Sequence, residues 1–383
     1  MNAEIDPKTV HTVTNTDELA AALTRIRQAD EVAIDTESDS LFVYYEKVCL
    51  IQITALGESY VIDPLETGNL APLGEIFADP KVLKIFHAAE YDIMCLKRDY
   101  GFTFVNLFDT MQAARILGRK EVGLGALVEN EFGIHLDKKY QKSNWGIRPL
   151  SKEMLKYAVC DTRFLSALKD RFSAELEERG LSDLAAEDFK RLCRLPAGSP
   201  EPIETVWWKV AGGVELDKQQ IAVLQSLCEF REEAARRRDL PPFKVMSGKG
   251  LVSIAVENPQ NERALRSIKG LGRTVIDRYG KDLLSINRNS RSSRKKVPMP
   301  PIQVHPSNGI LSRRERLKNW RRDTGLEMDL PSDVILPREL MDTIAETGPE
   351  TTEQLRELMK DCPARYRRFG DRILSISTNG ERK

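Results

Sequence analysis

The sequence predicts a mixed α/β domain followed by an all-helical region. Three observations carry this. The first 190 residues alternate short β-branched apolar runs with helix-spaced segments. A Pro/Gly/Ser stretch, PAGSPEP at 196–202, follows them. From about residue 214 the pattern is helical only and repeats at an offset of 90.

Taken in order, EVAID (31–35), VCLIQIT (48–54) and SYVID (59–63) read as strands. The first two lack clean alternation, as strands buried on both faces do. NLAPLGEIFAD reads as a helix, KVLKIFHA as a strand and EYDIMCLKRDY as a helix. TMQAARILG and GLGALVENEFG have helical spacing and a terminal Gly. SKEMLKYAVCDTRFLSALKDRFSAELEERG reads as one long helix, with Ser151 as N-cap and Gly180 as its stop. In the helical region RYGKDLLSI (278–286) returns as RFGDRILSI (368–376). Leu227 matches Leu317, Phe230 matches Trp320, and Leu240-Pro241 matches Leu330-Pro331. Two small helical domains of similar build explain the repeat. The expected boundaries are 1–195 for the α/β domain, 205–288 and 310–379 for the helical repeats, and 289–309 for a basic, Pro-rich linker.

The 383 residues carry 58 Lys+Arg and 58 Asp+Glu, so net charge selects no partner. Its distribution says more. Ten Lys/Arg against Asp282 and Glu315 give about +8 between 281 and 320, enough to attract phosphates or to keep a linker extended. No apolar run approaches the roughly 20 residues a membrane helix needs. MNAEIDPKTV lacks the basic-then-apolar pattern of a signal peptide. Six dispersed cysteines without a CxxC, and only four histidines, argue against a zinc site and fit a reducing cytosol.

The carboxylates carry the chemistry. On a strand, Asp35 and Glu37 point to one face. Asp92 lies near the start of its helix. Tyr157 and Asp161, four apart, share a helix face. Each alone has an ordinary explanation: a wet strand end, a first-turn acid favoured by the helix dipole, a surface charge beside Arg163, a core tyrosine. If all four acids converge, repulsion decides, since two charges 4 Å apart cost about 4 kcal/mol at an effective dielectric near 20. They are then either dispersed or bound to cations, and all-oxygen ligands select magnesium or manganese.

AIDTES, FHAAEYDIMCL and YAVCDTRFL resemble the three exonuclease motifs of the DEDD superfamily, in its tyrosine branch. QKSNWGIRPLSKEMLKYAVCDT resembles the segment before the third motif in the ribonuclease D family. The helical repeats resemble the helicase-and-RNase-D C-terminal domain, through LPPFKVMSGKGLVSIA and SIKGLGRTVIDRYG in the first copy. The resemblance spans about residues 12 to 377. It implies a ribonuclease-H-like mixed sheet flanked by helices. It also implies a 3′→5′ exoribonuclease that releases 5′-monophosphates singly from structured RNA, chiefly precursor tRNA. Asp35, Glu37, Asp92 and Asp161 match the ligands of two divalent cations, Mg2+ or Mn2+, and Tyr157 matches the residue that positions the attacking water. A cytoplasmic monomer is expected. The rival functions are a DNA-directed 3′→5′ exonuclease and a non-catalytic RNA-binding scaffold.

Further RNA contacts are expected from Thr36, Gln52, Trp145 and Arg148, although Gln52 also suits a strand interior and Trp145 a pinned loop. His87 suits a satisfied core position better than the site. Lys269, Gly270 and Gly272 suit a phosphate turn or a simple helix stop, and Arg294, Lys295 and Arg/Lys neighbours in the linker, including Lys296, suit backbone contacts. Lys360-Asp361-Cys362 replaces the Gly-Leu-Gly turn in the second copy, so that copy is expected mainly to pack or set geometry. Removal of 205–383 is expected to weaken RNA binding while short oligonucleotides are still cut.

Overall fold

The computed structural model describes residues 7–199, 202–291, 297 and 306–378. The chain forms two compact units. One comprises residues 1–38, 48–198 and 305–383, and the other 39–47 and 199–304.

Among the described residues, the first unit is built on six strands: β1 (Val10–Val13), β2 (Glu31–Ser38), β3 (Val48–Ala55), β4 (Glu58–Ile62), β5 (Leu83–Phe86) and β6 (Leu107–Asp109). Their order is β1-β4-β3-β2-β5-β6. β3 pairs antiparallel with β2 and β4, and the remaining neighbours are parallel, so the sheet is mixed. β3 is buried along nearly its whole length, as its non-alternating sequence predicts. Asp35 sits opposite Gln52 and Glu37 opposite Leu50. A register shift follows at Glu37/Ser38, a bulge beside the acids.

Among the described residues nine helices accompany the sheet: α1 (Thr16–Ile26), α2 (Pro64–Thr67), α3 (Ala71–Ala78), α4 (Glu90–Tyr100), α5 (Thr110–Ile116), α6 (Leu124–Phe132), α7 (Lys152–Arg163), α8 (Leu165–Glu178) and α9 (Ser182–Cys193). The sequence predicts one helix from Ser151 to Gly180. The structure breaks it at Phe164, whose amide turns to the Thr162 carbonyl. The break has a packing cause: α7 lies on β2, β3 and β4, whereas α8 lies on α5, β2 and β5. Ser151 caps α7 as expected, accepting from the Met154 amide.

The helical region confirms the repeat. The first copy holds α10 (Val206–Ala211), α11 (Lys218–Arg238), α12 (Pro242–Val245), α13 (Gly248–Glu257), α14 (Glu262–Arg266) and α15 (Arg273–Arg291). The second holds α16 (Asn308–Met328), α17 (Ser332–Ile335), α18 (Arg338–Thr347), α19 (Thr352–Leu358) and α20 (Pro363–Thr378). From α11 and α16 onward, each helix of the second copy starts 90 residues after its counterpart: 218 and 308, 242 and 332, 248 and 338, 262 and 352, 273 and 363.

The two copies join different units. The second packs on helices that flank the six-stranded sheet. The Arg365 guanidinium, fully buried, donates to Glu187 Oε2 and Asp188 Oδ2 of α9, each at 2.9 Å. Arg115 of α5 pairs with Asp333. This copy thus packs on α5 and α9, and the deletion of 205–383, expected to weaken RNA binding, would also uncover the buried Glu187. The first copy has its own core around Leu227, Ile254 and Leu283 and takes in the loop 39–47. Among the described residues no helix is long and apolar enough to cross a membrane.

Candidate active site

A cavity of about 390 Å³ opens on the first unit at β2 and α7. Asp35, Glu37, His87, Tyr157 and Asp161 line it. Ligand-type oxygens of Asp35, Glu37 and Asp161 all lie within 4.8 Å of one another. The strand period puts the first two on one face, and the third comes from the helix laid across that face.

Asp92 stands beside this cluster and is buried. Its Oδ1 accepts from the Thr36 hydroxyl at 2.5 Å. Its position depends on a residue that the sequence reading passed over. Asp109, wholly buried, accepts from the amides of Ala88 (3.2 Å) and Ala89 (2.7 Å) just before α4. It also accepts from Met111 (2.8 Å) and Gln112 (2.9 Å) at the start of α5. One carboxylate thus caps one helix and secures the entry to another, fixing the turn that presents Asp92. The N-cap signal Asp109-Thr110 before a helical spacing was the available clue.

Electrostatics follow from crowding. Burial, then Asp161, Asp92 and Glu37, hold Asp35 well above the usual carboxylate range. Burial, then Asp161 and Asp92, push Glu37 up to about 9. Burial raises Asp92 to about 7 despite the Thr36 hydrogen bond. Asp161 is raised to about 7 by burial, against the opposing hydrogen bond from Tyr157. Tyr157 itself is driven well above its ordinary value, by burial first and then by Asp161, Glu37 and Asp35. It is a neutral phenol at pH 7. His87, brought down to about 4 by burial, is neutral as well. Its Nδ1 lies 2.9 Å from Thr110 Oγ1. It is thus both satisfied and cavity-lining.

Close-set oxygen donors that raise one another's proton affinity are a donor set suited to hard divalent cations. The residues present fit such a group.

The other expected contacts fare differently. Thr36 reaches the cavity, but its hydroxyl is committed to Asp92 rather than to an RNA end. Gln52 is 1% exposed, directly across from Asp35 on β3, with neither amide atom partnered among the described residues. Trp145 is 1% exposed and packs 6.0 Å from the Tyr157 ring, so no base can stack on it as placed. Arg148 is spent internally, donating to both Asp63 oxygens and to the Cys49 and Trp145 carbonyls. Sequence cannot separate an aromatic or arginine that meets RNA from one that pins a loop; burial does. In the other unit, Gly270 has φ +94° and its carbonyl accepts from Ser247 Oγ at 2.6 Å. A Cβ there would sit 3.2 Å from the Gly250 nitrogen, so the turn is a packing device at the start of α13. Lys269 is exposed, and Gly272 precedes α15. Arg294, Lys295 and Lys296 lie outside the described residues.

A family model described as 3′-5′ exonuclease matches residues 10–177, and the HRDC domain model matches 220–286 and 311–376. A ribonuclease D of Gluconacetobacter diazotrophicus is 33% identical over 263 residues, 68% of this chain and 66% of that one. A ribonuclease D of Granulibacter bethesdensis is 30% identical over 282 residues, 73% of this chain and 71% of that one. The crystal structure of Escherichia coli RNase D, described as an exoribonuclease involved in structured RNA processing, superposes with a TM-score of 0.69. That superposition covers 92% of this chain and 99% of the other at 24% identity, a likeness of fold.

Proposed function

We infer function from one premise: the chain belongs to the ribonuclease D family. On that footing it is a metal-dependent 3′→5′ exoribonuclease. It removes nucleotides one at a time as 5′-monophosphates from structured RNA, with 3′-extended tRNA precursors as the main substrate. It acts as a cytoplasmic monomer.

The observation that supports this best is the convergence of Asp35, Glu37 and Asp161 within 4.8 Å, with Asp92 tethered alongside by Thr36. Asp35, Glu37, Asp92 and Asp161 would hold two divalent cations. When bound, such cations supply a nucleophile at neutral pH and offset charge on the phosphate and the leaving oxygen. The chain's own groups do the positioning. Tyr157, kept protonated, is unsuited to take a proton at pH 7 and is suited to orient a water by hydrogen bonding. The Asp161 carboxylate fixes the direction of the phenol. His87, neutral and held by Thr110, adds no positive charge at the wall.

The test is incubation of the purified chain with a 3′-extended tRNA and its DNA counterpart, with and without Mg2+. Stepwise shortening of the RNA from the 3′ end, abolished by chelation, is expected. Faster digestion of the DNA would overturn the substrate assignment, and binding without shortening would overturn the enzyme.

A further inference from the structure

β3, with the sequence VCLIQITA, carries a single amide side chain, Gln52, at a buried position. Strand alternation puts Leu50, Gln52 and Thr54 on one face of β3, with Ile51 and Ile53 on the other. The first face is the one that α7 covers. Leu50 belongs there to one buried cluster with Trp145, Met154 and Ala158, and Thr54 Oγ1 lies 2.7 Å from Thr162 Oγ1 of α7. Gln52 is thus held between two anchored positions, under the helix that supplies Tyr157 and Asp161.

Its cross-strand neighbours are Val61 on β4 and Asp35 on β2. Val61 offers no polar side-chain atom. Residues directly opposite on an antiparallel pair stand on the same face with Cβ atoms about 4.5–5.5 Å apart. Asp35 is therefore the polar group across the strand from Gln52, within the reach of a glutamine side chain. Yet neither Nε2 nor Oε1 of Gln52 has a hydrogen-bond partner among the described residues.

An unpartnered amide in such a place is costly, and a leucine or methionine would serve the strand better. One bland explanation is a buried water shared with the Trp145 indole nitrogen, which also lacks a partner among the described residues. The sheet register favours another. Trp145 comes from a loop distant in sequence, whereas the strand pairing itself sets Gln52 opposite Asp35. A carboxylate that ligates a cation through one oxygen presents the other to an outer donor, and such donors fix its orientation. Thr36 plays that part for Asp92, and Gln52 stands where it can play it for Asp35.

We propose that Gln52 is a positioning residue of the active site: its Nε2 donates to Asp35 when Asp35 ligates a divalent cation, and holds that carboxylate in its ligating orientation. Gln52 touches neither RNA nor the reacting atoms. Its amide destabilises the metal-free fold, because it is buried without a partner, and strengthens the metal-bound one. These opposite effects on the two states set it apart from a residue that serves packing alone. The inference deepens the metal reading of the four acids and rests on it.

The test titrates Mn2+ alone into the full chain by calorimetry, beside thermal melts in chelator. Gln52→Met nearly keeps the side-chain volume and removes both amide functions. Its Mn2+ dissociation constant is expected to rise about tenfold, the low end for loss of an outer partner of a metal ligand. Its midpoint in chelator should equal or exceed the parent's, because an unpartnered buried group is gone. The RNA KM at saturating Mn2+ should stay within about twofold of the parent's, as for a residue that meets no RNA. Gln52→Leu repeats the measurements should methionine not fit. Midpoints in chelator lowered in both variants make Gln52 a residue of the fold and overturn the proposal. A parent that binds Mn2+, with both variants within about twofold of it, overturns the proposal alone and leaves the amide to a buried water. A parent that takes up no Mn2+ removes the metal reading and this inference with it.

Discussion

The Thr36 hydroxyl donates a 2.5 Å hydrogen bond to Oδ1 of Asp92. It joins the strand that bears Asp35 and Glu37 to the first turn of the helix that bears the fourth acid. Asp92 in turn raises the proton affinity of both Asp35 and Glu37.

Thr36→Val should loosen this tie while keeping shape. A hydrogen bond to a charged group is worth roughly 1.5–3 kcal/mol. The Mg2+ concentration for half-maximal activity should rise about tenfold, and Thr36→Ser should restore most of it. A metal titration of RNA shortening reads this directly; an unchanged Mg2+ requirement would separate Thr36 from the site.

Tyr157 and Asp35 differ in kind. Tyr157→Phe removes an orienting hydroxyl, worth roughly 10²–10³-fold in rate. Asp35→Asn removes a negative oxygen at the centre of the cluster. Single-turnover rates should therefore fall further for Asp35→Asn. Equal losses would contradict an orienting role for the phenol.

The crowded acids make a prediction about metal and pH. Glu37 is raised to about 9, and Asp92 and Asp161 to about 7. Their unfolded values lie near 4. The folded state thus holds protons that the unfolded chain has released, so stability falls as pH rises through this range. Metal-free protein should lose thermal midpoint steadily from about pH 5 to about pH 9, and saturating Mg2+ should recover more at the upper end. Melts with and without chelator across that window test the sign; a flat metal-free profile would argue that the acids do not share one buried field.

The buried pair between Arg365 and Glu187 governs docking of the second repeat. Burial raises the Glu187 carboxyl even against the opposing pull of Arg365, so burial costs it more than the pair returns. Such a pair matters chiefly when broken. Arg365→Ala should cost about 3–5 kcal/mol by leaving buried acids unpaired. Denaturant unfolding with limited proteolysis at α9 should report it. Stability within about 0.5 kcal/mol of the parent would place the docking energy elsewhere.

Much of this protein is legible along the chain. The three central strands announce themselves by apolar β-branched runs, and Ser151 announces a helix. The 90-residue offset holds for five helix starts. Asp35 and Glu37 share a face because a strand has period two, and Tyr157 and Asp161 because a helix has a period near four. These are properties of neighbouring residues, and so they can be read without knowing what lies opposite.

What only the tertiary structure decided concerns residues far apart in sequence. The helix from Ser151 breaks at Phe164, where packing passes from β3 and β4 under its first half to β5 and α5 under its second. Trp145 turns inward onto Tyr157, and Arg148 onto Asp63. Two repeats with the same helical pattern part company, one docked by Arg365 on α9 and one clamping the loop at Tyr44. A side chain's type limits what it can contact. Whether it meets solvent, a carboxylate or another ring is settled by which surfaces burial brings together, and no local period records that.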